Sequence, residues 1–371
     1  DTVVISLTVS DLNELKTQFT LATRQQDTYL VVDGSNTTAT LKHGVAQDSA
    51  LNEAAAIFSS DALRVSRYAS DRVAPQLVNY TLNMLNATLL MTFDEVVDVT
   101  TFDTSFLVLQ SAQTDFVHYR LTGGTVGATN ATTVSVVLST LDSEVLRSTP
   151  TVASRANETF LRIESSAVDD MAGNAVSAIA AGDALAPLEF VSDTVAPELV
   201  SFSANMTQGV LLLTYSEPVD AETAVVTLYS LSDGASTSHT LSNASSITQA
   251  KYSVLSVALA EFDLNSLKFN GICLTSVTCN VSAQSSSVAD YEGLHVDPTS
   301  NLGVSNFTTD STRPLLPTAG FELMDLDNGL MQLSFSETVN VSSFDMSSLR
   351  VQSSYLVGQT DDGFSAVNLT G

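Results

Sequence analysis

Nine acidic side chains stand at repeated places in the chain: Asp71, Glu95, Asp98, Asp169, Asp170, Asp193, Glu217, Asp220 and Asp290. Carboxylate oxygens are hard ligands, and calcium gathers about six to eight oxygens in a flexible shell. If strands run alternately up and down a sandwich, the Glu95/Glu217 loop, the Asp169-Asp170 or Asp290 loop and the Asp71/Asp193 linker gather at one end of their domain. Calcium bound there would stiffen the step from one domain to the next, and it is the only cofactor these residues imply. The competing expectation is plainer: Glu217 ends a strand, Asp169 shapes a turn, and the charge is a solvated surface.

A second chemistry is covalent modification. Asn-x-Ser/Thr occurs at Asn36, Asn79, Asn86, Asn130, Asn157, Asn205, Asn243, Asn280, Asn306, Asn340 and Asn368, eleven of 19 asparagines. Serine and threonine make up about a quarter of the chain, so chance would give roughly 5, and the excess points to N-linked glycans on a secreted eukaryotic protein. The alternative is that Asn and Thr are simply frequent in turns and exposed strands. Cys273 and Cys279 are the only two cysteines. Their closeness predicts a local bridge formed in an oxidising compartment, with two separate thiols as the alternative. His43, His118, His239 and His295 lie singly, which supports no zinc site.

The elements that must position these residues form a long repeat. Asp193 to Asp220, DTVAPELVSFSANMTQGVLLLTYSEPVD, matches Asp71 to Asp98 at one constant offset and Asp310 to Asn340 with a small insertion. An Asp-x-x-Ala-Pro or Asp-x-x-Arg-Pro linker leads in, because proline lacks the amide proton and holds its predecessor extended, which suits an edge strand. A hairpin turn is expected at Asn83-Asn86, Asn205-Gly209 and Asp327-Gly329. The next strand alternates with period two through Leu89, Met91 and Phe93, through Leu211, Leu213 and Tyr215, and through Met331, Leu333 and Phe335, as a half-buried antiparallel strand does.

A second repeated stretch follows an apolar strand at Val3 to Val9, Val134 to Leu138 and Val254 to Leu259. It is Asp11 to Lys16, Asp142 to Arg147 and Asp263 to Lys268, read as a helical corner that the Asp caps and the Lys or Arg ends. Another strand begins at Thr28-Tyr29-Leu30 and at Thr159-Phe160-Leu161. The organisation expected is therefore residues 1–70 as the back half of a repeat, 71–192 and 193–309 as complete repeats, and 310–371 as a front half. Half-sandwiches expose strand edges, so the missing halves are expected from neighbouring sequence of a longer polymer or from another copy of the chain.

About seven short strands per unit and no long helical pattern predict an all-β fold of tandem antiparallel Ig-like β-sandwich domains. The linker, the Tyr-Ser-Glu-Pro-Val-Asp stretch at 215 to 220 and Val168 to Asn174 resemble bacterial Ig-like repeats of the S-layer type and the related cadherin-like repeats. The corner is similar to a version found in very large surface or flagellar-hair (mastigoneme-like) proteins of algae and other protists. Phe93-Asp94-Glu95-Val96 lacks the proline of that pattern, Asn340 replaces its last aspartate, and Val288 to Gly293 keeps only part of the second stretch. The resemblance implies fold and surface display, not a ligand.

A net charge of −27, from 41 acids against 14 bases, repels nucleic acid and anionic membranes. No apolar run is long enough to span a bilayer, so direct membrane insertion is not expected. Catalysis is not expected either: there is no nucleophile elbow, phosphate loop, paired-histidine metal motif or dinucleotide fingerprint. The function read from the sequence is a structural repeat segment of an extracellular glycoprotein filament, sheath or stalk, on a cell or flagellar surface, whose partners are neighbouring repeats or further copies. The alternative is the ectodomain of a calcium-dependent adhesin or receptor whose binding module lies outside this segment.

Overall fold

The computed structural model describes residues 2–18, 20–32, 45–114, 117–130, 132–353 and 366–370. The chain falls into two compact units, Asp1–Ala196 with Glu217–Val219 and Asp290–Leu294, and Pro197–Ser216, Asp220–Ala289 and His295–Gly371.

The first unit starts with helix α1 (Val9–Lys16) and a short pair of strands, β1 (Tyr29–Leu30) and β2 (Leu63–Arg64). A sandwich follows, built from β3 (Leu77–Asn83), β4 (Thr88–Phe93), β5 (Leu107–Gln110), β6 (His118–Arg120), β7 (Gly124–Asn130), β8 (Thr133–Leu138), helix α2 (Thr140–Arg147), β9 (Phe160–Ile163) and β10 (Glu189–Val191). One sheet runs β10-β3-β4-β8-β7 and the other β6-β5-β9. Leu89, Met91 and Phe93 point inward from β4, and Val134, Val136 and Leu138 from β8. On β3, Leu77 and Tyr80 are both buried although three residues apart, which a strict two-residue period forbids. A bulge between Leu77 and Asn79 absorbs the odd residue.

The second unit holds β11 (Leu199–Asn205), β12 (Val210–Tyr215), β13 (Tyr229–Ser232), β14 (Ser238–Thr240), β15 (Ser246–Lys251), β16 (Val254–Ala258), helix α3 (Glu261–Phe269), β17 (Asn280–Ala283), β18 (Thr299–Gly303) and β19 (Asn306–Thr308). Its sheets run β15-β16-β12-β11-β19 and β14-β13-β17-β18, closing over Phe202, Leu213, Leu231 and Leu255. The bulge recurs between Leu199 and Ser201. Two hairpin-like pairs come last, β20 (Phe321–Asp325) with β21 (Leu330–Leu333) and β22 (Arg350–Gln352) with β23 (Ala366–Asn368). There Met331, Leu333 and Phe335 are only half-buried.

All-β sandwich architecture is thus present, with three departures from the expectations. Pro75 and Pro197 do not lead into edge strands, because β10 pairs with β3 and β19 with β11, both in parallel. The returning end of each repeat covers the edge that the proline faced, so the two five-stranded sheets are mixed rather than purely antiparallel. Second, residues 2–8 pair with no strand among the described residues, and Val9 already belongs to α1. Third, the corner aspartates are not the helix caps. Thr8 and Ser139 are, and the aspartates sit three residues further on.

Candidate functional site

Each corner helix is pinned at its start and aimed at its end. In α2 the Ser139 hydroxyl caps the helix by accepting from the Asp142 amide. The Asp142 carboxylate, wholly buried, accepts from Tyr119 Oη at 2.7 Å, from the Thr122 amide and hydroxyl at 3.0 and 2.8 Å, and from the Gly123 amide at 3.1 Å. In α3, Asp263 is equally buried and accepts from the Ser242 amide and hydroxyl at 3.1 and 2.8 Å and from Ser245 Oγ at 2.6 Å, with His239 Nε2 at 2.9 Å. These bonds hold the first turn against the sheet.

The cation of the last turn meets two carboxylates further along the chain. Arg147 Nη1 donates to Glu217 Oε2 at 3.0 Å, its Nε lies 3.1 Å from Asp193 Oδ2, and its Nη2 donates to the Met84 carbonyl at 2.7 Å. Lys16 Nζ donates to Asp71 Oδ2 at 2.7 Å and to Glu95 Oε2. Lys268 Nζ lies 2.6 Å from both Asp310 Oδ2 and Glu337 Oε2. The linker aspartate also folds its own turn, since Asp71, Asp193 and Asp310 each accept the amide two residues on. The same three-residue clamp therefore occurs three times.

A third acid stands beside two of the clamps. Asp170 holds its loop closed by accepting from the Ala172 and Asn174 amides at 2.8 and 2.7 Å and from Asn174 Nδ2 at 2.7 Å. Asp290 accepts from the Glu292 and Leu294 amides at 3.0 and 2.7 Å. Leucine replaces Asn174 there, and Asp290 Oδ2 is left buried without a hydrogen-bond partner. Glu95, Glu217 and Glu337 each leave Oε1 in that condition too.

The charges respond to this crowding. Burial would lower the Lys16 pKa, but the hydrogen bonds and charges of Asp71 and Glu95 outweigh it and hold the ammonium above its ordinary value. Lys268 is raised in the same way by Asp310 and Glu337. Burial lifts Glu95 despite Lys16, and it lifts Glu217 much further, to about 8, helped by Asp193 and by Asp290 and opposed by Arg147. Asp310 goes the other way: burial raises it, yet Lys268 and the Thr312 amide bring it below the usual carboxylate range.

Of the nine acids proposed for calcium, the structure brings together Asp71, Glu95 and Asp170, one oxygen of each lying within 4.8 Å of the others. Asp193, Glu217 and Asp290 surround Arg147. Asp98 and Asp220 stand apart as caps of short 3-10 turns, accepting from the Thr100 and Glu222 amides. The backbone of Asp169 bridges to Ala175. All three acids of the first group are oxygen donors suited to a hard cation, but the Lys16 ammonium already satisfies two of them.

What the sequence reading missed is that the helix-end cations and the linker acids are one site. The available signal was economy. In a chain with only 14 Lys and Arg, three fall at one repeat position, each upstream of the same Asp and Glu pair.

Of the sequon asparagines, Asn86, Asn157, Asn243, Asn306, Asn340 and Asn368 are exposed, and Asn79, Asn205 and Asn280 are half-buried. Asn36 lies outside the described residues, and Asn130 lies in β7. Cys273 and Cys279 are joined by a disulfide across a Cα separation of 4.1 Å. Among the described residues no helix is long and apolar enough to cross a membrane.

No protein-family model matches the chain, and no curated protein does. Among solved structures, the chain is similar to the N-terminal part of the bacterial S-layer protein SbsC at 19% identity and a TM-score of 0.22, over 48% of this chain and 38% of that one. It is also similar to the A168-A169 pair of titin at 11% identity and a TM-score of 0.22, over 61% of this chain and 98% of that one. The chain spans well under two thirds of the S-layer fragment. At such low scores these likenesses carry no argument, and the architecture rests on the strand pairings above.

Proposed function

We propose that this chain is a structural repeat segment of an extracellular glycoprotein filament, sheath or stalk, of the kind found in a cell-surface coat or a flagellar hair. The observation that carries the reading is the threefold clamp of Lys16, Arg147 and Lys268 on the acid pairs that open the following repeat. A charge pair buried beside a linker restrains the step between repeats, because separating it leaves carboxylates in a poorly solvated place. The disulfide and the six exposed sequons support an oxidising, glycan-bearing compartment. The test is small-angle scattering of the full chain with Lys16, Arg147 and Lys268 all replaced by Met. The reading requires a broader spread of inter-repeat distances with the β-sheet circular dichroism retained. An unchanged scattering profile would remove it.

A second reading, a calcium-dependent adhesin or receptor ectodomain, is favoured by the surplus of acid. Asp71, Glu95 and Asp170 face a single lysine, and Glu95 Oε1 is buried without a hydrogen-bond partner. In that reading these three residues hold the ion, and the ion supplies the charge that Lys16 does not. Calorimetric titration with calcium, repeated on Asp170→Asn, separates the two: a heat of binding lost in the variant supports the ion, and none in either supports the clamp alone.

A further inference from the structure

We infer that Lys268 and Asp310 join covalently, through an amide between the lysine Nζ and the aspartate Cγ that Glu337 helps to form. The inference deepens the clamp reading and rests on it, but the clamp stands as an ion pair wherever the bond does not form. Arg147, at the equivalent place, cannot do this chemistry, because a guanidinium stays protonated. A lysine amine is a nucleophile once it gives up its proton. The exchange of Arg147 for Lys268 between two otherwise matching clamps therefore changes what the site can do as well as how it is charged.

Two carboxylates meet one nitrogen here. Lys268 Nζ lies 2.6 Å from Asp310 Oδ2 and 2.6 Å from Glu337 Oε2. The other aspartate oxygen, Oδ1, accepts from the Thr312 amide at 2.9 Å. That amide orients the carboxyl and stands where negative charge develops when its carbon is attacked. Glu337 keeps its second oxygen, Oε1, buried without a hydrogen-bond partner. The residue after it is tied to α3, since Thr338 donates its amide to Asn265 Oδ1 and its hydroxyl to the Asn265 carbonyl, both at 3.2 Å. The buried Asp263 anchors the same helix, so amine and proton carrier are held by one packed element. Beside them lies a cleft of about 670 Å³, lined also by Met206, Phe269, Leu274, Pro314 and Val339, which leaves a path for a departing water.

The step balances without an oxidant or a cofactor. The resting pair is ammonium and carboxylate, and Nζ first passes one proton to its direct partner, Asp310 Oδ2, to give an amine and a carboxylic acid. Nζ then attacks Cγ. As the nitrogen–carbon bond forms and the Cγ–Oδ2 bond breaks, Glu337 takes a second proton from the nitrogen and returns it to the departing oxygen, which leaves as water. Free amines and acids scarcely condense in water, but groups held in contact react as though at an effective concentration of about 10⁵ M or more. In a chain without the bond the ion pair acts alone, and the loss of Lys268 is measured against that form.

The experiment is peptide mass mapping of the full 371-residue chain, denatured, reduced, freed of any glycan and digested after Lys and Arg. Lys268 should resist cleavage, and fragmentation of the peptide that carries it should place the loss of one water across Lys268 and Asp310 together. Glu337→Gln keeps an acceptor for Nζ but cannot carry its proton, and Asp310→Ala removes the carbon that is attacked. Both variants should restore cleavage after Lys268 while their circular dichroism matches the parent's. Complete cleavage after Lys268 in the parent, or a water loss confined to Asp310 and Ser311, overturns the inference and leaves the ion-pair clamp standing. A bond that survives Glu337→Gln overturns the role given to Glu337.

Discussion

Arg147 and Lys268 end equivalent helices and meet equivalent acid pairs, yet their surroundings differ. Asp193 and Glu217 keep only 2% and 6% side-chain exposure, whereas Asp310 and Glu337 keep 24% and 11%. The guanidinium also reaches the Met84 carbonyl, which ties it to the β3–β4 turn of its own sandwich. A planar fork can serve three acceptors at once, and a lysine ammonium on a flexible stem serves two here. The drier pair is the one with the larger group. Burial therefore sets how much each clamp is worth, and the same sequence pattern does not imply the same energy.

The comparison is broken most directly by removing each cation. Arg147→Met leaves the Asp193 carboxylate buried without its cation and Glu217 without its donor, and should cost about 3 kcal/mol or more in chemical unfolding. Lys268→Met leaves acids that water still reaches and should cost about 1 kcal/mol. Equal losses would mean that burial of the acids does not decide the strength of the clamp.

The next effect in size concerns a loop rather than a clamp. Ala22, Ala153 and Cys273 occupy one repeat position, all at positive φ (55°, 58° and 53°), and each donates its amide to a carbonyl five residues on. In the first two repeats an acid of the loop secures it, Thr23 Oγ1 donating to Asp27 and Ser154 Oγ to Glu158 Oε2 at 2.8 Å. In the third a threonine replaces the acid and the disulfide takes over the closure. Closing so short a loop stabilises by about 2 kcal/mol, so Cys273→Ser with Cys279→Ser should lower the unfolding free energy by that amount. Glu158→Ala, which removes one part-buried bond, should cost about 0.5–1 kcal/mol. A smaller loss for the double serine variant than for Glu158→Ala would show that the loops do not depend on these closures.

Much of this fold was legible because it is local. The alternation of Leu89, Met91 and Phe93 names an inward face whatever the partner strand is, and the turns at Asn83-Asn86 and Asn205-Gly209 fall between the expected strands. The parallel pairing of β10 with β3 was not legible, since it joins residues more than a hundred positions apart and leaves no periodic mark. The clamps sat between these cases. Lys16, Arg147 and Lys268 were seen as helix ends and the acids as cation ligands, but only the fold shows that each cation meets an aspartate and a glutamate further along the chain. The aspartate at the third helix position misled for a related reason. A cap and a sheet anchor use the same residue type, and burial alone separates the exposed Asp11 from the buried Asp142.

The smallest effect sharpens the comparison through pH. Glu217 has a folded pKa raised to about 8, because burial and the Asp193 and Asp290 carboxylates oppose its charge more than Arg147 supports it. A raised carboxyl pKa means that the folded chain holds a proton which the unfolded chain has released, in the window from the ordinary glutamate value up to about 8. Stability from this group is thus full on the acid side of that window and declines as pH rises through it. Asp310, whose pKa is lowered, has the opposite sense: its contribution is present at neutral pH and is lost only in acid. Glu217→Gln keeps an acceptor for Arg147 and removes the titration, so its unfolding midpoint should fall less than that of the parent between pH 5 and 9. Identical pH slopes for Glu217→Gln and the parent would place the excess charge elsewhere than at Glu217.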